Sequence, residues 1–255
     1  MPLILPGGYT PPHGPDEALL ATALPAQDGA GVALPDVNWL FLVFTQRTGS
    51  NYFAGLLASA GGFLGDAHED FQTRLILQLC AERNLPSLAA YAVDQAAREA
   101  RHGWYATRLT IRQLLLLAWT GLLERLLPRS RFIVLYRADT LAQAISWHIA
   151  DTTGSYISGQ APSAAPPDYD RAALHRCLRL IAGQNAATGA FMAENALAPL
   201  FISYEEITAN PTATAARAYR LIGQPQLVCR PERVKLQKQG TALNAAWRAR
   251  WLAGA

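Results

Sequence analysis

Residues 37–51 have the sequence VNWLFLVFTQRTGSN, in which an apolar run of strand length is followed at once by a polar turn containing glycine. A near-continuous apolar run of this length is typical of a parallel strand that is covered on both faces. The next residues, 51–60, have a helical pattern that ends at Gly61-Gly62. This stretch therefore predicts a strand, a tight turn and a helix in succession, the repeating unit of an α/β fold.

The same alternation continues along the chain. Further strands are predicted at 104–110, 131–136 and 199–203. Helices are predicted at 71–83, 87–101, 113–127, 140–151, 171–196, 212–222 and 241–252. Strands that alternate with helices favour a P-loop-like, three-layer α/β/α domain with a central, mainly parallel sheet. Ligands of such sheets bind beyond the carboxyl ends of the strands, so a site is expected just after each strand.

Two regions lack this alternation. Residues 1–36 are rich in Pro, Gly and Ala and predict an irregular N-terminal extension with a short helix at 15–24. Residues 37–255 predict a single domain. Within that domain, 154–168 is a loop of turn-forming residues and a candidate lid or substrate loop.

The basic residues are distributed unevenly. The chain carries 22 Lys and Arg against 19 Asp and Glu, yet its first basic residue is Arg47 and its only lysines are Lys235 and Lys238. Basic and aromatic residues are not interleaved in clusters and no nucleic-acid-binding motif is present, so we expect no nucleic-acid partner. The distribution indicates instead a local site for an anion in the part of the chain that begins at Arg47.

Membrane and metal-binding classes of protein are disfavoured. The longest apolar run, 114–123, is about half as long as a membrane-spanning helix requires, so we expect no integral membrane protein. Cys80, Cys177 and Cys229 lie far apart and lack the Cys-x-x-Cys or Cys/His spacing of a zinc site. These features predict no metal site, and they favour reduced thiols in a cytoplasmic compartment.

The turn 46–51 (QRTGSN) has the features of an anion-binding loop. Gly49 allows the backbone to turn tightly, so that several N–H groups converge on an anion at the N-terminus of the following helix. Arg47 adds a rigid fork of donors. The Gly-Lys-Ser/Thr ending of a Walker A motif is missing, which counts against a magnesium-nucleotide hydrolase. An ordinary strand–turn–helix junction with capping residues is the alternative interpretation.

A second group of anion donors follows the strand 131–136. Arg137 ends this strand, and Ser146 lies nine residues later, more than two turns into the predicted helix. The two side chains can meet only if the chain folds back across the strand end. Two groups of donors on neighbouring strands suit a ligand with two phosphates, whereas the alternative for Arg137 is an ion pair with Asp139.

Three blocks of the sequence carry a family resemblance. They are the strand and turn 40–51, the segment 65–71 (GDAHEDF) and 136–147 (YRADTLAQAISW). Together they resemble the bacterial trehalose 2-sulfotransferase family, within the carbohydrate sulfotransferases that use 3′-phosphoadenosine 5′-phosphosulfate (PAPS). The order of blocks holds from about residue 37 to 252. The resemblance implies a sulfotransferase-type α/β fold with PAPS as co-substrate and no metal.

The resemblance also implies roles for individual residues. The loop cradles the 5′-phosphosulfate, Arg137 and Ser146 hold the 3′-phosphate, and a late basic loop touches the 3′-phosphate and adenine. The implied donor-binding residues are Gln46, Arg47, Thr48, Gly49, Ser50, Asn51, Arg137, Ser146, Lys238, Gln239 and Gly240. The implied catalytic residues are Glu69, Arg47 and Arg108. Asn51 stands where the family usually has Thr or Ser, and Arg108 stands where it usually has Lys.

Sulfuryl transfer requires two contributions from the protein. Charge that develops on the leaving 5′-phosphate must be stabilised, which Arg47, the loop N–H groups and Arg108 could do. The acceptor hydroxyl must lose its proton to a base, for which Glu69 is the first choice and His68 and His148 are rivals.

The sequence thus predicts a PAPS-dependent sulfotransferase acting on a hydroxyl of a carbohydrate or glycolipid. Related enzymes often pair, so a homodimer is expected. Two alternatives stay open: a P-loop-like kinase or phosphotransferase, and a non-catalytic nucleotide-binding member of the fold. Asp70, directly after Glu69, is expected to lie in a solvated turn or to pair with Arg74.

Overall fold

A four-stranded sheet forms the centre of the computed structural model, which describes residues 3–6, 9, 15–24, 31–156, 160–236 and 242–254. The strands, in the spatial order β2-β1-β3-β4, are Asn38–Phe44 (β1), Trp104–Leu109 (β2), Ser130–Tyr136 (β3) and Leu200–Ser203 (β4). Every adjacent pair is parallel, so the four carboxyl ends lie along one edge of the sheet.

β1 lies inside the sheet because its side chains are apolar on both faces. Its register places Val43 beside Leu109 of β2 and Val134 of β3. Successive strand residues point to opposite faces, so Phe41 and Val43 belong to one core cluster and Leu42 to the other. The predicted continuous apolar run is therefore explained by burial on both sides.

Helices cover both faces of the sheet. Within the described residues they are Pro15–Ala23 (α1), Ser50–Ala58 (α2), Thr73–Arg83 (α3), Leu88–Glu99 (α4), Ile111–Trp119 (α5), Leu122–Leu126 (α6), Thr140–Thr153 (α7), Arg171–Glu194 (α8), Tyr204–Ala209 (α9), Pro211–Leu221 (α10) and Ala242–Leu252 (α11). The cluster around Phe41 receives residues from α1, α3, α4, α5, α6 and α8, and the cluster around Leu42 receives residues from α2, α9 and α10. This arrangement confirms the predicted three-layer α/β/α class with a parallel sheet.

One predicted helix, 113–127, is divided in the structure. α5 and α6 are separated at Thr120 and Gly121, and Gly121 has a φ of +71°. Pro128 then lies in a single 3-10 turn, Leu127–Arg129, which leads into β3. The prediction was wrong here because a positive φ interrupts the helical path while the apolar run continues unbroken.

The described parts of the N-terminal extension pack against the core. α1 falls within the predicted 15–24, and its Leu20 and the following Leu24 are buried in the cluster around Phe41. Nearer the N-terminus, the backbone N–H of Leu3 donates to a Glu124 carboxylate oxygen at 2.7 Å. The N–H and C=O of Ile4 both bond to the Asn195 side chain, at 2.6 and 2.8 Å. The extension is therefore held by apolar burial and by specific hydrogen bonds.

Candidate active site

The loop that joins β1 to α2 has an unusual backbone. Arg47 has a φ of +68° and Gly49 a φ of +77°, so two residues of the loop lie in the left-handed region. Thr48 Oγ1 donates to the Thr45 carbonyl at 2.9 Å and closes the turn. α2 begins at Ser50, and no side chain caps it at Gly49. The first N–H groups of a helix without a side-chain cap can bind an anion, which the helix dipole also favours.

Gly49 is packed against an aromatic ring from another strand end. A Cβ on Gly49 would lie 2.9 Å from Cδ2 of Tyr204, so no larger residue fits without moving that ring. Tyr204 directly follows β4, and the guanidinium carbon of Arg137 lies 4.4 Å from the centre of the same ring. The ring of Tyr204 therefore lies against both predicted groups of anion donors.

Arg47 and Arg137 concentrate positive charge at this edge of the sheet. Burial lowers the pKa of Arg47, and the nearby charge of Arg137 lowers it further. Arg137 Nε is buried and has no hydrogen-bond partner in the described part of the chain. Two adjacent cations, one with an unpaired buried donor, are costly unless an anion binds there.

The alternative ion pair between Arg137 and Asp139 is not formed. Asp139 caps α7 by accepting the Ala142 N–H at 3.0 Å, and its carboxylate pairs with Arg248 at 2.6 Å. Burial raises the pKa of Asp139, but the Ala142 N–H and the Arg248 guanidinium outweigh it and hold the pKa below its usual value. The charge of Arg137 also lowers the pKa of Asp139, but the hydrogen-bond partners of Asp139 are Ala142 and Arg248, which leaves the guanidinium of Arg137 for another role.

Ser146 lies against the loop after β1. Its Oγ accepts a hydrogen bond from Arg47 Nε at 3.0 Å. Arg47 Nη1 also donates to the carbonyl of Tyr156, in the predicted loop 154–168, at 2.5 Å. Among the described residues no hydrogen bond joins Ser146 to Arg137, so its contact in this structure is with Arg47.

Arg108 links the predicted base to the loop. It is buried near the end of β2, and its Nη1 lies 3.2 Å from Glu69 Oε1 and 3.4 Å from Ser50 Oγ. Its Nε donates to the Ala67 carbonyl at 2.6 Å. Burial lowers the pKa of Arg108, and the charge of Glu69 acts in the opposite direction. The three side chains Glu69, Arg108 and Ser50 thus form one contact group at the carboxyl edge of the sheet.

The segment before α3 runs beside β2 and alternates its side chains between two environments. The Arg108 N–H donates to the His68 carbonyl at 2.8 Å, as a neighbouring strand would accept it. Glu69 contacts Arg108, whereas Asp70 is buried and accepts the Tyr105 hydroxyl at 2.6 Å. The expectation of a solvated turn or an Arg74 partner for Asp70 was wrong, because buried hydroxyls of distant residues satisfy it.

Neither histidine rival has the contacts of Glu69. The side chain of His68 is exposed, and its backbone carbonyl, not its imidazole, bonds to β2. His148 lies in α7 with its ring centre 5.7 Å from that of Trp247. The second carboxylate oxygen of Glu69 accepts a hydrogen bond from Gln72 Nε2 at 2.8 Å.

The remaining predicted residues are divided between the loop and a region outside the described residues. Gln46 accepts a hydrogen bond through its carbonyl from Gln143 Nε2 at 2.7 Å, and Asn51 lies half-buried in the first turn of α2. Lys238, Gln239 and Gly240 lie outside the described residues. In the described ranges, no group of three or more His, Cys, Asp or Glu side chains could hold a metal ion.

Sequence reasoning assigned no role to two residues of this region. Tyr204 has a signal that the strand-end rule could have used, because it follows β4 directly. Gln143 belongs to one of the quoted blocks, but its contact with the Gln46 carbonyl spans 97 residues and cannot be read from spacing.

Comparison with known proteins agrees with the resemblance found in the sequence. Residues 40–254 match the family described as Stf0 sulphotransferase, the trehalose 2-sulfotransferase family, and the match includes all three quoted blocks. No curated protein matches the chain. The match covers most of the chain and agrees with the parallel α/β/α fold. The chain therefore belongs to the Stf0 sulphotransferase family.

Proposed function

We propose that the protein transfers the sulfuryl group of PAPS to a hydroxyl of a carbohydrate or glycolipid. Membership of the family supports sulfotransferase activity. The observation that carries the choice of donor is that Arg47 and Arg137 lie close together. The charge of Arg137 lowers the pKa of Arg47. In addition, Arg137 Nε is buried and lacks a hydrogen-bond partner in the described residues. PAPS carries phosphate groups on the 3′ and 5′ oxygens of its ribose, so it can bind both arginines.

The loop after β1 is assigned the role of binding the 5′-phosphosulfate group. Bound PAPS would supply an activated sulfuryl group, whose transfer leaves negative charge on the 5′-phosphate. The N–H groups at the start of α2 and the Arg47 guanidinium would stabilise that charge, with Arg108 behind Ser50. Arginines therefore provide the positive charge in this proposal, without a metal. Arg137, Ser146 and the late segment 238–240 are assigned the 3′-phosphate.

Glu69 is assigned the role of the base that accepts the proton of the acceptor hydroxyl. About a quarter of its side chain is exposed (25%), so one carboxylate oxygen can face an acceptor while Arg108 and Gln72 fix its orientation. A base held in place typically contributes a factor of about 10²–10⁴ to the rate. A polyhydroxyl acceptor is proposed from the family resemblance. Homodimerisation and cytoplasmic localisation stay predictions.

Membrane insertion is not part of the proposal. Within the described ranges, no helix has both the length and the apolar character that crossing a bilayer requires.

Donor binding is the first test. The product nucleotide 3′-phosphoadenosine 5′-phosphate (PAP), at about 100 times its dissociation constant, should raise Tm by about 5–10 °C. At the same PAP concentration, Arg47→Ala and Arg137→Ala should lower this shift to about 1–2 °C, because losing a charge-assisted phosphate contact weakens PAP binding about 10²-fold. The control is Arg131→Ala, an exposed arginine at the other end of β3, which should keep it. Wild-type protein that shows no shift with millimolar PAP would overturn the choice of donor.

Transfer is the second test. Radiolabelled PAPS incubated with a carbohydrate and lipid extract should yield a labelled product, and Glu69→Gln should keep PAP binding while losing at least about 10²-fold in rate. Full turnover by Glu69→Gln would refute the assignment of the base. PAP binding without transfer to any acceptor would favour the non-catalytic alternative, and magnesium-dependent ATP binding would favour the kinase.

A further inference from the structure

Helix α7 holds Arg47 at two points. Gln143 Nε2 donates to the Gln46 carbonyl at 2.7 Å, and Ser146 Oγ accepts from Arg47 Nε at 3.0 Å. Residues three apart lie on the same face of a helix. One face of α7 therefore contacts both the peptide group that precedes Arg47 and the guanidinium group of Arg47.

The backbone of Arg47 requires such a restraint. Its φ of +68° lies in a region that residues other than glycine adopt infrequently, because Cβ approaches the following carbonyl. This angle describes rotation about the bond between N and Cα of Arg47, measured from the peptide group of Gln46. A hydrogen bond that fixes the Gln46 carbonyl therefore resists a flip of that peptide to the ordinary, negative φ.

Gln143 is poorly suited to a purely stabilising role. Its side chain is 0% exposed, and its Oε1 has no hydrogen-bond partner among the described residues. A buried amide with an unsatisfied oxygen costs stability, whereas a methionine of similar size would not. In the described part of the chain, the Gln143 side chain makes its hydrogen bond to the Gln46 carbonyl.

We propose that Gln143 is a positioning residue that keeps Arg47 in its left-handed conformation, so that its guanidinium stays directed at the phosphosulfate. The expected consequence of this positioning is tighter binding of PAPS, and that consequence rests on the proposed function. The control of the Arg47 backbone conformation by Gln143 does not depend on the identity of the ligand.

A crystal structure of Gln143→Met tests this control of the Arg47 backbone. The variant should show Arg47 with a negative φ and without its bond to Ser146. The matched control is Gln184→Met in α8, which removes a half-buried glutamine whose Oε1 is likewise buried without a partner among the described residues, and it should leave Arg47 at positive φ. Arg47 found at positive φ in Gln143→Met would overturn the inference, whether or not the protein binds PAP.

A double-mutant cycle tests the consequence, with PAP affinity measured by calorimetry. Gln143→Met should weaken binding about tenfold, the effect of one hydrogen bond, but by less than about twofold in the Arg47→Ala background, because the effect acts through Arg47. An equal loss in both backgrounds, or none in either, would overturn the inference. If Gln143→Met does not fold, Gln143→Glu, which keeps the size and loses the donor above neutral pH, takes its place in both experiments. Absence of PAP binding by the wild-type protein would instead refute the proposed function, and the Arg47 conformation in the crystal would still decide the inference.

Discussion

Replacing Gly49 by alanine tests whether the loop after β1 and the Tyr204 ring act as one unit. A Cβ at Gly49 would lie 2.9 Å from Cδ2 and 3.3 Å from Cε2 of Tyr204, and the residue has a φ of +77°. Two costs are expected. The positive φ costs about 1–2 kcal/mol for alanine. The ring must also move, because a carbon–carbon contact of 2.9 Å is not tolerated, and overpacking of this kind costs about 1–3 kcal/mol.

Gly61→Ala separates these two costs. Gly61 has a similar φ of +72°, but nothing lies within 4 Å of an added Cβ. We expect Gly61→Ala to lower the free energy of unfolding by about 1–2 kcal/mol, the backbone cost alone, and to leave PAP affinity unchanged. Gly49→Ala should lose about 2–5 kcal/mol in total. It should also weaken PAP binding about tenfold, because Arg137 stacks on the ring that is displaced.

Urea titrations and calorimetry with PAP, carried out on both variants, provide the measurement. Equal unfolding free energies for the two variants, together with wild-type PAP affinity in Gly49→Ala, would refute the reasoning. That result would mean that the Tyr204 ring moves at no cost and that its stacking does not position Arg137.

Three further predictions concern stability. Tyr105→Phe removes the hydroxyl that donates to the buried carboxylate of Asp70 and should lower the free energy of unfolding by about 1–3 kcal/mol in urea, whereas a loss under about 0.5 kcal/mol would contradict the role of that bond. Asp139→Asn keeps the cap of α7 but loses the Arg248 pair. Because the pKa of Asp139 is lowered in the folded protein, its ionised carboxylate stabilises the fold fully above the usual pKa, and this stabilisation is lost as pH falls through the folded pKa. The fall in Tm between about pH 5 and pH 2 should therefore be smaller in Asp139→Asn than in the wild-type protein. An identical fall in both proteins would contradict this prediction. Deletion of residues 1–36 removes the buried Leu20 and Leu24 and should cost about 3–6 kcal/mol, and unchanged stability in urea would contradict the observed packing.

The architecture was predictable because its signals are local. The apolar run at β1 and the glycine-containing turn after it follow from a few adjacent residues, and the strand–helix alternation fixes the parallel sheet. The division between α5 and α6 was not predictable in the same way. A single glycine within a long apolar run does not reveal whether tertiary packing will give it a positive φ.

The candidate site was predictable as a list of residues, but its contacts were not. The strand-end rule identifies Arg47 and Arg137, the resemblance adds Arg108 and Glu69, and the structure brings Arg108 into contact with Glu69. Burial of Asp70 depends on a hydroxyl 35 residues away in sequence, and the bond between Arg47 and Ser146 spans 99 residues. Such contacts depend on how elements pack, which spacing along the chain does not encode.

The hydrogen bonds between Ile4 and Asn195 have a consequence for how the chain is made. The two residues are 191 positions apart, so the segment around Ile4 cannot complete its contacts until Asn195 has left the ribosome. At about 5–20 residues per second, this wait is about 10–40 s, during which the buried Leu20 and Leu24 lack part of their final surroundings. The segment around Ile4 therefore docks late, and until then its apolar residues stay available to chaperones and to aggregation.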